Sequence, residues 1–383
     1  MILDSDIAQY LDTSRPDNLK QFSSQEGFLG SQLYGEPDLQ SHVDAQVAII
    51  GIDETRNAFP MPYMAKADNI RYWLYQLSAF NNLKVSDFGN LVLGNSVADT
   101  YSAVSYLTES LVKSGIIPIY IGGSHDLTLP IVEGLWRAKG KIEIGLVDSC
   151  FDIIDSANTT SRSYLLDILR IHTGSVHCNL VGGQNYFTPQ SQSDLLDEYG
   201  ADKYRLGVVR SDINSLEPVF RDCDMVSFDA GAVRQADMPA VHQPSPNGLY
   251  TEEACQLANF AGLSDRSKAF GIFGVVSRNT PLEMSAHLTA QIIWHYIYGV
   301  SQRENDYPVC NFDNYKKIFV NLDAPNTSLV FYQNPKNNRF WLVMPQKNSA
   351  GNVVVSCSNN DYIMLANNEI PERIKKAFRR YGV

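Results

Sequence analysis

The sequence predicts an α/β fold of three layers, helices packed on both faces of a mostly parallel sheet. Two observations carry that prediction. Short apolar runs such as Val47-Ala48-Ile49-Ile50 end in Gly or Asp, the texture of strands buried on both faces of a parallel sheet. These runs alternate with stretches whose apolar residues recur every three or four positions, the period of an amphipathic helix. Such alternation means βαβ units.

Residues 1–44 are polar, rich in Asp, Gln and Ser, and weakly periodic; they read as an N-terminal extension with some helix. The run 47–52 is the first strand. Helical patterns follow at Ile70, Trp73, Leu74 and Leu77, then at Val97, Tyr101, Val104, Leu107 and Leu111. Gly115 stands where a capping glycine ends the second of these helices. Residues 116–121 read as a strand ending at Gly122-Gly123, and a helix runs from about Leu127 to Ala138. Ile142 to Val147 is a strand ending at Asp148. Further strands are expected at 179–182, 205–209, 225–228 and 270–276, and helices at 190–198, 252–261 and 285–298.

After about residue 305 the texture changes. Ser328–Tyr332 and Arg339–Val343 flank Pro335-Lys336-Asn337-Asn338, a β-hairpin pattern. Asp361–Leu365 is expected to add a strand and 371–381 a closing helix, whose basic residues Arg373, Lys375, Lys376, Arg379 and Arg380 read as a solvated face. The expected organisation is an extension (1–44), an α/β domain (45–304) and a C-terminal appendage (305–383). The appendage is expected to pack on the main domain or on a partner subunit.

The chain has 383 residues, 44% of them hydrophobic, and a formal net charge of −11. That balance argues against nucleic acid or an anionic membrane as the main partner, because both require clustered Lys and Arg. No basic segment followed by an apolar run opens the chain, and no stretch of about 18 apolar residues occurs. The cysteines, Cys150, Cys178, Cys223, Cys255, Cys310 and Cys357, are scattered, which suggests reduced thiols in a cytoplasm.

Ligands of parallel sheets gather just past the C-terminal ends of the strands. Three such ends carry metal-type donors: Gly122-Gly123-Ser124-His125-Asp126, Asp148-Ser149-Cys150-Phe151-Asp152 and Ser227-Phe228-Asp229. One His and three Asp suit a Mn²⁺-like ion or another ion that prefers oxygen and nitrogen.

In order and spacing these segments resemble the ureohydrolase family, which includes arginase, agmatinase and formimidoylglutamase. Pro239, Ser245–Ala254, Arg278-Asn279-Thr280-Pro281 and Thr289-Ala290 extend the resemblance over roughly residues 45–300. It implies a site for two manganese ions that activate water against a guanidinium or amidine carbon. It also assigns one complete metal position to His125, Asp148, Asp152 and Asp229. The second position shares Asp148 and Asp229, but Cys150 stands where the family has His and Gly231 where it has Asp. Ser277 replaces the Glu that pairs with the guanidinium, and Ile154 replaces an Asn. His177 corresponds only loosely to a proton-shuttling His of the family.

Cys150 reads as a small buried hydrophobe or as an additional, softer ligand. Asp126 reads as a helix cap, and Arg234, Asp237 and His242 as a solvated loop. The resemblance therefore implies one divalent ion, manganese or zinc, or none. Two readings stay open. In the first, the chain is a divergent ureohydrolase relative without binuclear manganese hydrolysis, with a binding, regulatory or assembly role. In the second, it is a metal-dependent hydrolase of linear amidine, guanidine or formimino C–N bonds. A small amidine or guanidine ligand and a homo-oligomer are the partners the resemblance implies.

Overall fold

The computed structural model describes residues 5–33, 44–277, 282–308, 312–322, 328–345 and 352–381. Nine strands form the main sheet: β1 (Leu11–Asp12), β2 (Val47–Gly51), β3 (Val85–Leu91), β4 (Ile117–Ile121), β5 (Ile142–Val147), β6 (Val176–Val181), β7 (Asp202–Tyr204), β8 (Met225–Asp229) and β9 (Ala269–Phe273). Their order is β1-β3-β2-β4-β9-β8-β5-β6-β7. Every pairing is parallel except that of β1 with β3. The wholly buried β2, β4, β5 and β9 are the apolar runs of the sequence, because only a strand covered on both faces can dispense with a polar side.

The two-residue period of a strand sorts its side chains into two cores. Val47 and Ile49 join the core beneath helices Ala67–Leu74, Thr251–Leu263 and Leu282–Ser301. Ala48 and Ile50 join the opposite core, beneath helices Val97–Lys113, Thr128–Lys139 and Tyr164–Ile171. This is the expected three-layer arrangement.

The N-terminal stretch is tied down by its few apolar residues. Ile7 and Leu11 enter one core and Leu19, Phe22, Leu29 and Leu33 the other, while β1 covers the edge of β3. Strand β3 had no clear sequence signal, because its centre holds a buried Asp87. Arg71 donates to that carboxylate from Nε at 2.8 Å, and Tyr75 from its hydroxyl at 2.8 Å.

Two expected strands are helices. Of 205–209, most lies in helix Leu206–Ser211, and the strand is the preceding β7. A five-residue stretch with only Leu206, Val208 and Val209 apolar is too short to show a diagnostic period. Asp361–Leu365 lies in helix Asn359–Ala366, opened by a capping box between Ser358 and Asp361.

Beyond residue 305, β10 (Lys316–Asn321), β11 (Ser328–Gln333), β12 (Phe340–Pro345) and β13 (Asn352–Cys357) form a separate antiparallel sheet in that order. The expected hairpin is β11–β12, with Tyr332 opposite Trp341. Helix Glu372–Tyr381 lies against the N-terminal edge of the main sheet; Lys375 and Arg379 are exposed as expected, but Arg373, Lys376 and Arg380 turn inward to carboxylates. Arg373 donates to Asp222 at 2.8 Å, Arg380 to Asp202 and, at 3.2 Å, to Glu143, and Lys376 lies 3.5 Å from Asp202.

Burial alone would raise the Asp202 carboxyl. The hydrogen bond with His177 and the charges of Arg380 and Lys376 overcome burial and hold it down to about 2. A carboxyl depressed in the folded state contributes stability above its unfolded pKa, and that contribution is lost as pH falls toward the folded value. Asp202→Asn is therefore expected to cost roughly 2 kcal/mol at neutral pH. Urea melts between pH 6 and pH 3 should show the gap to wild type narrowing below about pH 4; a gap independent of pH would assign the loss to shape rather than charge.

Candidate metal centre

The centre sits past the C-terminal ends of β4, β5 and β8. β4 runs into Gly122 and Gly123, at φ +89° and +76°, a region open to glycine and strained for other residues. A Cβ on Gly123 would lie 2.8 Å from the carbonyl oxygens of Ile52 and Glu54. This tight turn delivers His125 into a short 3-10 turn, His125–Leu127. β5 and β8 are neighbours, with Val147 opposite Phe228, so Asp148 and Asp229 emerge side by side. Asp152 returns from the loop after β5.

The three carboxylates gather around His125. His125 Nδ1 lies 3.5 Å from Asp148 Oδ2, 3.5 Å from Asp152 Oδ2 and 3.4 Å from Asp229 Oδ2. The ring is 2% exposed. Its Nε2 meets Ser227 Oγ at 3.0 Å, and Thr128 Oγ1 braces that hydroxyl at 2.6 Å. A hydroxyl on Nε2 fixes the ring and leaves Nδ1 toward the carboxylates, as a ligating imidazole requires. Tyr164 Oη, 3.2 Å from Nδ1, closes the other side.

Three carboxylates this close repel one another. Burial, then the charge of Asp148, pushes Asp229 up to about 6 and Asp152 well above its usual range. Burial disfavours a charged His125, yet hydrogen bonds to Asp148 and Asp152 and the charge of Asp229 outweigh it and push the imidazole up to about 10. The cluster holds a net negative charge that calls for a cation.

Part of that demand is met by Arg162, a residue the sequence did not single out. Its Nε lies 3.1 Å from Asp152 Oδ1. Its Nη2 donates to Cys150 Sγ at 3.0 Å and its Nη1 to Gln243 Oε1 at 2.9 Å. The loop folds back on itself, Ile154 N donating to Arg162 O at 2.9 Å, and this brings the guanidinium over the site.

The side of the site where the family places a second ion is differently furnished. Cys150 is buried, and burial together with the charges of Asp152 and Asp148 pushes its thiol up to about 12. It keeps its proton at neutral pH, which a thiolate ligand does not. Gly231 offers no side chain, and a Cβ there would stand 2.8 Å from Asp229 Oδ1. His125, Asp148 and Asp229 offer ligand atoms that all lie within 4.8 Å of one another, a partial donor set for a divalent ion; Asp152 approaches His125 but lies outside that group, beside Arg162.

The other residues singled out scatter. Asp126 accepts from Tyr101 Oη at 2.5 Å and makes no helix cap. Arg234 pairs with Asp237 and lies over Tyr250, outside the centre. His242 does line it, stacked on Tyr63, with Nε2 2.7 Å from Phe59 O. His177, near the start of β6, faces Asp202 at the opposite edge of the sheet and takes no part. Ser277 N donates to Met64 O, and Ser277 does not line the cavity. Arg278–Pro281 lie outside the described residues. The cavity over the centre is about 40 Å³, room for a water or two.

A mostly parallel sheet with an imidazole and three carboxylates gathered past β4, β5 and β8 marks an arginase-like α/β protein. The model of the arginase family matches residues 60–299, and the chain belongs to that family. It is 27% identical over 228 residues to an agmatinase of Pyrococcus horikoshii, spanning 58% of this chain and 76% of that one. It is 24% identical over 234 residues to a formimidoylglutamase of Halobacterium salinarum, spanning 56% and 73%. Among solved structures, a variant of Trypanosoma cruzi formiminoglutamase with manganese superposes at a TM-score of 0.66 with 20% identity, covering 73% of this chain and all of that one. Formimidoylglutamase from Bacillus subtilis superposes at 0.61 with 16% identity, over 68% and 88%. No helix among the described residues is long and apolar enough to cross a membrane.

Proposed function

We propose that this chain is a divergent arginase-family protein whose centre takes one divalent ion and does not carry out two-metal hydrolysis. The observation behind this is the asymmetry of the site: three mutually close donors, His125, Asp148 and Asp229, with Asp152 beside them on one side, and on the other a glycine and a protonated thiol held by Arg162. His125 Nδ1 and the carboxylates of Asp148, Asp152 and Asp229 would hold the ion. Three oxygens and one nitrogen favour a manganese-like ion over zinc. A bound ion would supply Lewis acidity and lower the pKa of a neighbouring water. Ser227 and Thr128 orient the imidazole, and Arg162 restrains Asp152. A cavity of about 40 Å³ is small beside ordinary small-molecule pockets of roughly 300 Å³ or more. That leaves little room for a guanidino or amidino substrate beside an ion and weighs against turnover.

Elemental analysis of protein purified without chelator and loaded with Mn²⁺ or Zn²⁺ tests this reading. About one ion per chain is expected, none in His125→Ala, with no hydrolysis of guanidino, amidino or formimino compounds. Two ions per chain, or turnover that disappears in Asp229→Ala, would sink it. The retention of all four donors of one position supports a second reading, a single-ion hydrolase of a small linear amidine or guanidine. On that reading Asp148→Ala abolishes turnover and leaves the fold intact.

A further inference from the structure

A second cleft opens at the other edge of the sheet. Ile117 begins β4 there and Lys268 precedes β9, so the cleft lies about a strand length, roughly 17 Å, from the metal centre. Its volume is about 590 Å³. Lys113, Lys139, Lys268 and Arg303 line it, and no Asp or Glu does so among the described residues. In a chain with 42 acidic and 31 basic residues, that local excess runs against the overall charge.

The cations are unequally compensated. Lys139 pairs with Asp224, which also accepts from Arg266 at 2.8 Å, so one carboxylate serves two cations. Lys113 pairs with Glu109 on an exposed helix face, where such a pair contributes little. Lys268 and Arg303 make no ion pair among the described residues and rest on backbone carbonyls. Lys268 donates to Asp265 O at 2.9 Å, and Arg303 to Gly262 O at 2.8 Å and Ser267 O at 3.1 Å. Burial, then the charges of Arg303 and Lys139, pulls the Lys268 ammonium below its usual range; Asp265 and Asp224 oppose this and are outweighed. An anion in the cleft would relieve that repulsion.

We propose that this cleft binds a phosphate-bearing small molecule, its phosphates against Lys268, Lys139 and Lys113 and its body against Leu83 and Val300. Ammonium groups act as mobile point charges well suited to phosphate. The volume exceeds that of an orthophosphate and matches a small organic ligand. The site is independent of the metal centre.

Calorimetric titration of the full chain without divalent metal, using ADP and inorganic pyrophosphate, tests this. Binding should weaken about tenfold or more in Lys268→Gln and in Lys113→Glu. Lys113 is largely exposed, so the second variant does not threaten the fold. Lys84→Gln, a cation outside the cleft, and His125→Ala should bind as wild type does. ADP binding tighter than pyrophosphate supports the proposal; equal or weaker binding of ADP overturns the contact of an organic body with Leu83 and Val300 and leaves only an inorganic polyphosphate site. No binding of either, or binding unaltered in both Lys268→Gln and Lys113→Glu, overturns it.

Discussion

Arg162→Ala is expected to bind Mn²⁺ about tenfold or more tighter than wild type, and to be less stable without metal. Both effects follow from one contact. The guanidinium lies 3.1 Å from Asp152 Oδ1, so an ion recruiting Asp152 competes with a charge already there. It also crowds Cys150, on the side where the second ion would sit. Removing it frees a ligand, and about 1.4 kcal/mol of lost competition is a tenfold gain in affinity. The metal-free cluster meanwhile loses the one guanidinium pairing with Asp152 among the described residues, leaving buried carboxylates to repel one another. Since Arg162 is about one-fifth exposed, that cost is expected near 2 kcal/mol, below the range for a fully buried pair. Titration with Mn²⁺ and thermal melts with and without the ion read both effects. Unchanged affinity would show that Arg162 neither competes with an ion nor restrains Asp152. Tighter binding without loss of stability would show that His125 alone balances the carboxylates.

The sequence shows the donors of this centre and hides the cation that answers them, for a physical reason. His125, Asp148 and Asp229 sit at strand ends, where runs such as Ile142–Val147 announce themselves by burial on both faces. Arg162 lies in an irregular stretch between Asp152 and helix Tyr164–Ile171, where no period says which way a side chain points. Only the fold-back at Ile154 brings it over the site. The same blindness affects paired charges elsewhere. Asp87 makes β3 look unlike a strand until Arg71 is seen beside it. The helix Glu372–Tyr381 has the pattern of a surface helix, because a basic face turned to water and one turned to buried carboxylates read alike. Asp361–Leu365 reads as a strand because so short a stretch has no diagnostic period, and the capping box between Ser358 and Asp361 is what starts a helix there.

That C-terminal helix gives the other large effect. Arg373→Ala is expected to cost roughly 3–5 kcal/mol near pH 8. The side chain is 14% exposed and donates to Asp222 Oδ2 at 2.8 Å, to Pro218 O at 3.1 Å and to Ser356 O. Ser356 also donates to Asp222, from its nitrogen at 3.1 Å and its hydroxyl at 2.5 Å. Burial raises the Asp222 carboxyl even with Arg373 beside it, and removing Arg373 must raise it further. A carboxyl raised in the folded state loses stability as pH climbs through its folded pKa, because the unfolded chain gives up the proton first. The deficit of Arg373→Ala should therefore be larger at pH 8 than at pH 5, and Arg373→Ala with Asp222→Asn should recover part of it. Urea melts at the two pH values decide; equal deficits would assign the loss to packing and neutral hydrogen bonds. Asp222 precedes β8, whereas Asp229 ends it, so the strand separates the clamp from the metal centre. Folded Arg373→Ala should accordingly keep the ion stoichiometry of wild type, which distinguishes a structural clamp from a group coupled to the site.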